Sequence, residues 1–156
     1  MALVKWRSQL VLSGDAVPFL MCLVKCCNKQ MDRRELIRRM VLNAITDDFE
    51  NVDQIILPSV AEDCSKLGFV LERSEIVKAL AGLVEDGLAK AYDLRHLPNR
   101  DPFSGELPSM PPLDQVEEDF KTYFYITKSG MDFHLSDDTW WPFDEDGERR
   151  PNWRLD

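Results

Sequence analysis

The stretch that decides the fold is Ser74–Leu94, "SEIVKALAGLVEDGLAKAYDL". Ile76, Val77, Leu80, Leu83 and Val84 recur at helical spacing, so the first part reads as an amphipathic helix that starts near Leu71 or Glu72. Gly87 ends it, because glycine adopts a left-handed conformation after a last helical turn at little cost. "LAKAYDL" then reads as a strand. Gly82 lies inside the helix, where glycine costs about 1 kcal/mol relative to alanine. Together with Ala79 and Ala81 it makes a thin stretch, suited to close packing by a partner helix or by a later strand ribbon.

Upstream, "MDRRELIRRMVLNAITDDF" from Met31 places Leu36, Ile37, Met40, Val41, Ala44 and Ile45 on one face. Asp32 is the expected N-cap, with Glu35 completing a capping box. Arg33, Arg34, Arg38 and Arg39 fall on the outer faces, where a charge run is most often solvated. Val52 to Leu57 reads as a short extended run, and Pro58 as the first turn of a helix that ends near Leu67, before Gly68. Downstream, the aromatic run "KTYFYIT" reads as a second strand, and Thr127 can cap a short helix or turn after it. Between the strands lies Arg95–Lys121, with Pro98, Pro102, Pro108, Pro111 and Pro112, read as a long hairpin loop, Pro-stiffened and mobile in part.

The order is helix, short strand, helix, helix, strand, long loop, strand. On "ERSEIVKALAGLVEDGLAKAY" and "YFYITKSG" the chain resembles the winged-helix regulators of bacteria of the GntR and MarR type. Leu80, Leu83, Gly87 and Leu88 match recurrent positions of the recognition helix and first wing strand. The tyrosine–hydrophobic–threonine–x–x–glycine ending matches the second wing strand. The resemblance covers about residues 32–131. It implies an α+β, mainly α, winged helix-turn-helix: a three-helix core, a two- or three-stranded wing and a long Pro-rich wing loop. Physical reasoning expects the same core, since three amphipathic helices and a ribbon must close over one interior. Leu36, Met40, Ile45, Ile56, Val60, Leu67, Val77, Leu80, Leu83, Leu88 and Phe124 are expected inside.

The expected organisation is an N-terminal segment, 1–30, a winged-helix domain, 31–135, and an acidic, aromatic-rich tail, 136–156. The N-terminal segment is apolar and lightly basic. It is read as an extra strand or helix, or as lying upstream of a biological start at Met31. A secretory signal fits it less well, because no small-residue cleavage site follows the apolar run. Cys22, Cys26, Cys27 and Cys64 lack the pairing of a disulfide framework or the spacing of a zinc site, and point to reduced thiols in the cytoplasm. No apolar run approaches a membrane span.

Charge bears on function. The net charge is −9. From Glu50 to Asp101 six bases face ten acids, whereas a DNA reader needs phosphate neutralisation and base-edge contacts. Arg73, Ser74 and Lys78 on the third helix, with Arg95 and Arg100 at the wing base, are the candidate DNA contacts. Trp140, Trp141, Phe143 and Trp153 are candidate partner anchors, as a homodimer interface or for another protein, with fold-back onto the same chain as the alternative. Two functions follow: a dimeric DNA-binding transcription regulator, or an acidic winged-helix module that binds protein and not DNA. No nucleophile, phosphate loop or metal-ligand spacing marks an enzyme, and His96 and His134 lack partners at such spacing. No cofactor or metal is expected.

Overall fold

In the computed structural model, residues 30–114 and 118–156 are described. The N-terminal segment, its three cysteines and the middle of the acidic loop "DQVEED" lie outside them. The elements in chain order are β1 (Gln30–Met31), α1 (Arg33–Ala44), β2 (Glu50–Asn51), α2 (Leu57–Lys66), α3 (Arg73–Glu85), β3 (Ala89–Asp93), β4 (Thr122–Ile126), α4 (Lys128–Leu135) and β5 (Arg154–Leu155). A π-helical turn, Val52–Ile56, leads into α2. The architecture among the described residues is α+β: four α-helices and a small antiparallel sheet in the order β2–β4–β3. This layout is compatible with a winged helix.

The periodic positions of α1 and α3 bury as their spacing requires. Leu36, Met40, Ile45, Ile56, Val60, Leu80, Leu83 and Phe124 share one buried cluster, with Leu67 and Leu88 partly buried against it. The long connection does join a paired ribbon: Ala89 lies opposite Ile126 and Ala91 opposite Phe124. Alternation sends Phe124 and Ile126 inward and leaves Lys90, Tyr92, Tyr123 and Tyr125 on the other face.

The "TKSG" segment has a physical reason. Thr127 Oγ1 accepts from Gly130 N at 3.0 Å, capping α4, and donates to the Gly87 carbonyl at 2.7 Å. Gly87 has φ 71°, the left-handed C-terminal residue that α3 requires. Gly130 sits so close to β3 that a Cβ there would lie 2.0 Å from the Leu88 carbonyl oxygen. Cys64 is fully buried in the core, and burial pushes its thiol up to about 11, so it stays protonated.

Four expectations are corrected. The extended run Val52–Leu57 is only β2, two residues long; Val52–Ile56 is helical, capped by Asn51 Oδ1, which accepts from Asp53 N at 3.0 Å and Gln54 N at 3.4 Å. Pro58 explains the widened turn: its ring would crowd the carbonyl four residues back in a regular α-helix, and it has no N–H to donate. Asp32 occupies the N-cap of α1 but its side chain makes no cap hydrogen bond, and Glu35 Oε1 accepts instead from Arg39 Nε at 2.8 Å. The capping box lies on α3, where Glu75 Oε2 accepts from Glu72 N at 3.0 Å. The described part of the proline-rich loop is docked: Leu107 N donates to Ala91 O at 2.8 Å, and Leu113 is buried. Finally, three of the four arginines of α1 are not merely solvated, Arg34 being exposed. Arg33 binds Glu75, Arg38 binds Asp86, and the Arg39 guanidinium stands over the Phe133 ring at 4.7 Å.

Because its neighbour is backbone, Gly130→Ala is expected to lower the urea-unfolding free energy by about 3 kcal/mol. Gly68→Ala, at a left-handed turn with open space around it, is expected to lose about 1 kcal/mol. Equal losses at the two sites would contradict the close approach of α4 to β3.

Candidate functional site

The N-terminus of α3 is where a winged helix would meet DNA, so the placement of Arg73 matters most. Its guanidinium is turned inward. Arg73 Nε donates to Asp53 Oδ1 at 2.6 Å, Nη2 to Asp53 Oδ2 at 2.9 Å and Nη1 to the Leu113 carbonyl at 2.7 Å. The side chains of Arg73 and Asp53 are only 19% and 8% exposed. This bidentate geometry satisfies the fork of the guanidinium and leaves it committed.

The pair belongs to a larger network. Asp53 Oδ2 also accepts from Asp119 N at 2.9 Å. Buried Asn51 donates through Nδ2 to the carbonyls of Asp119 at 2.6 Å and Thr122 at 3.0 Å. Thus β2, the π-helical turn, α3, the end of the loop and β4 converge on one polar knot. The hydrogen bond from Arg73 holds the Asp53 carboxyl below the usual aspartate range, helped by the Asp119 N–H and opposed by burial. Asp119 and Glu118 add negative potential at Arg73.

The other expected DNA contacts do not converge with it. Ser74 and Lys78 are exposed on α3. Arg95 forms a fork with Asp93, two residues before it in the chain. Arg100 is exposed in the loop, at a left-handed backbone position with φ 58°. Of the aromatic tail residues, Trp140, Phe143 and Trp153 are buried in the common core, and Trp141 is half-buried against it. Trp153 Nε1 donates to the Trp140 carbonyl at 3.1 Å. The backbone of β5 pairs parallel with β1, Gln30 opposite Arg154. The tail therefore folds back onto its own domain, the alternative that its aromatic content left open.

A different feature gathers the basic residues. Between α1 and α3 lies a cleft of about 390 Å³. Ala79 and Gly82 form one wall, and Arg34, Arg38 and Lys78 supply its cations, with Arg33 held by Glu75 at 2.9 Å. Four bases and two acids line it, a net +2 on a chain of −9. Arg34 and Lys78 are exposed and have no ion pair among the described residues. Arg38 Nη2 binds Asp86 at 2.6 Å, while its buried Nε has no hydrogen-bond partner there. The thin stretch Ala79–Gly82 thus borders open space: a Cβ on Gly82 would meet only Arg38 Nη1, at 3.6 Å.

Sequence reasoning missed a second surface. Phe49, Tyr92, Phe103 and Tyr125 form a ring cluster on the outer side of the sheet, with Phe49 and Tyr125 stacked at 4.8 Å and Phe103 54% exposed. Strand alternation placed Tyr92 and Tyr125 there; no local pattern foretold that Phe103 would fold back from the loop. Among the described residues no cluster of three or more His, Cys, Asp or Glu side chains could hold a metal ion. No helix of the described residues is long and apolar enough to cross a membrane.

Removing one partner of a shielded ion pair strands the other, so Arg73→Ala is expected to cost about 3 kcal/mol in urea unfolding. The pair also sets a pH dependence. Asp53 is depressed in the fold, so its stabilisation is complete above the ordinary aspartate range and is lost as pH falls through the lower folded value. The urea midpoint is expected to drop below about pH 4, and Asp53→Asn to flatten that part of the curve. On α3, Gly82→Ala is expected to raise stability by about 1 kcal/mol, since an ordinary contact awaits the methyl group. No protein-family model, curated protein or solved structure matches this chain.

Proposed function

We propose that this chain is an acidic, winged-helix-like module that binds another protein and does not read DNA. The observation that carries the reading is the bidentate Arg73–Asp53 pair at the start of α3. The cation best placed to enter a DNA groove is neutralised and bound to the interior. Beyond that pair, Glu118 and Asp119 add negative potential at Arg73, and Glu72 caps the same helix end, which normally points into the groove. A duplex carries one negative charge per about 1.7 Å of its axis, and non-specific affinity rests on neutralising several of them. Arg95 is likewise paired, with Asp93.

The competing reading, a DNA-binding regulator, draws its support from Lys78 and Ser74, which stay exposed on α3, and from the cations of the neighbouring cleft. Fluorescence anisotropy with labelled genomic fragments at low salt separates the two. The expected result is no saturable binding. Saturable binding that weakens in Lys78→Ala and steepens with falling salt would sink the interaction-module reading. Lys78→Ala is the useful variant because Lys78 is exposed, whereas Arg73→Ala would perturb the fold itself.

A further inference from the structure

The α1–α3 cleft defines what kind of partner fits. Resting on the interaction-module reading, we propose that the cleft receives an acidic, amphipathic polypeptide segment of another protein. On this proposal, carboxylates of the partner meet Arg34 and Lys78 while a small apolar side chain lies along Ala79 and Gly82.

Three observations carry this. The first is charge. The cleft is net positive on a strongly negative chain, and its two outermost cations, Arg34 and Lys78, have no internal ion pair among the described residues. The second is shape. Gly82 is an interior helix position with no need of a special backbone angle, and a Cβ there would meet only the rim of the Arg38 guanidinium, at 3.6 Å. Glycine there weakens the helix without serving its packing, and it opens a shallow channel along which another backbone can lie close. The third is scale. Two cations without an ion pair suit a few carboxylates, whereas a longer nucleic-acid backbone would run past the acids at the helix ends, Asp32, Glu85 and Asp86.

The mode is a helix or extended segment laid in a groove between two helices. Specificity comes from the spacing of Arg34 and Lys78 on opposite helices. Beside them the Arg33–Glu75 and Arg38–Asp86 bridges join α1 to the first turn and the C-cap of α3.

Titration of the isotope-labelled full chain, followed by NMR amide shifts, tests the proposal. The probe is a short helical peptide of leucine and glutamate, compared with leucine–glutamine and leucine–lysine versions of the same pattern, inorganic phosphate and duplex DNA. The expected result is saturable binding of the leucine–glutamate peptide, with shifts confined to α1 and α3. Affinity is expected to fall at least about tenfold in Arg34→Glu/Lys78→Glu. Gly82→Leu, which fills the channel without altering charge, is expected to weaken binding while the urea midpoint does not fall. Lys121→Glu/Lys128→Glu, an equal change in net charge elsewhere on the surface, is expected to leave binding unchanged.

Equal binding of acidic and neutral peptides, shifts outside the cleft, or phosphate binding as tightly as the peptide would overturn the proposal. So would concentration-dependent shifts of the same amides without peptide, which would give the cleft to a second copy of this chain. Failure of every peptide, with no DNA binding, overturns this inference alone and leaves the interaction-module reading intact. Duplex DNA binding in the cleft would remove both.

Discussion

The ion pair of Asp53 with Arg73 ties together segments far apart in the chain. It bridges the π-helical turn and α3 directly, reaches the proline-rich loop through the Leu113 carbonyl, and reaches β4 through Asp119 and Asn51. A shielded pair of this kind is weak evidence for net stability compared with an apolar substitute, because both charges are desolvated. Its leverage lies in specificity. Either partner alone would be a stranded charge, so the loop end, the turn and the helix must arrive together or not at all. That constraint sets the entry angle of α3 and removes its leading arginine from the surface.

From this follows the division of the surface. The N-terminus of α3, which would face a nucleic acid in a winged helix, is ringed by carboxylates. Two exposed cations without an ion pair among the described residues, Arg34 and Lys78, line instead the cleft between α1 and α3. The helices that build the core also carry the ion pairs beside the cleft. The outer aromatic cluster is separate from both: Phe49 and Tyr125 stack over the far face of the sheet, with Phe103 laid across them.

How much of this could be read beforehand depends on the range of the interactions involved. Leu80, Leu83, Gly87 and the β3–β4 ribbon were legible because periodicity and a single terminating glycine are local signals. The helical start at Val52 was not legible: Pro58 drew the expected helix start six residues further on and left Val52 to Leu57 read as extended. The role of Arg73 was not legible at all. Its partners lie 20 and 40 residues away, and nothing local distinguishes an arginine that turns to a distant aspartate from one that faces solvent. The cleft was half legible. The small residues of α3 suggested close packing, yet they border open space, and the neighbouring arginines of α1 became relevant only when the two helices packed. The aromatic tail announced burial, but not on which surface.

The docked tail also bears on how the chain reaches its native state. Trp153 packs in the same interior as Leu36, and β5 lies beside β1 at the opposite extreme of the described fold. During synthesis, Trp153 can join that interior only after residue 153 has left the ribosome. Closing so large a loop is entropically slow. The tail is thus the last part of the core to become available to the fold.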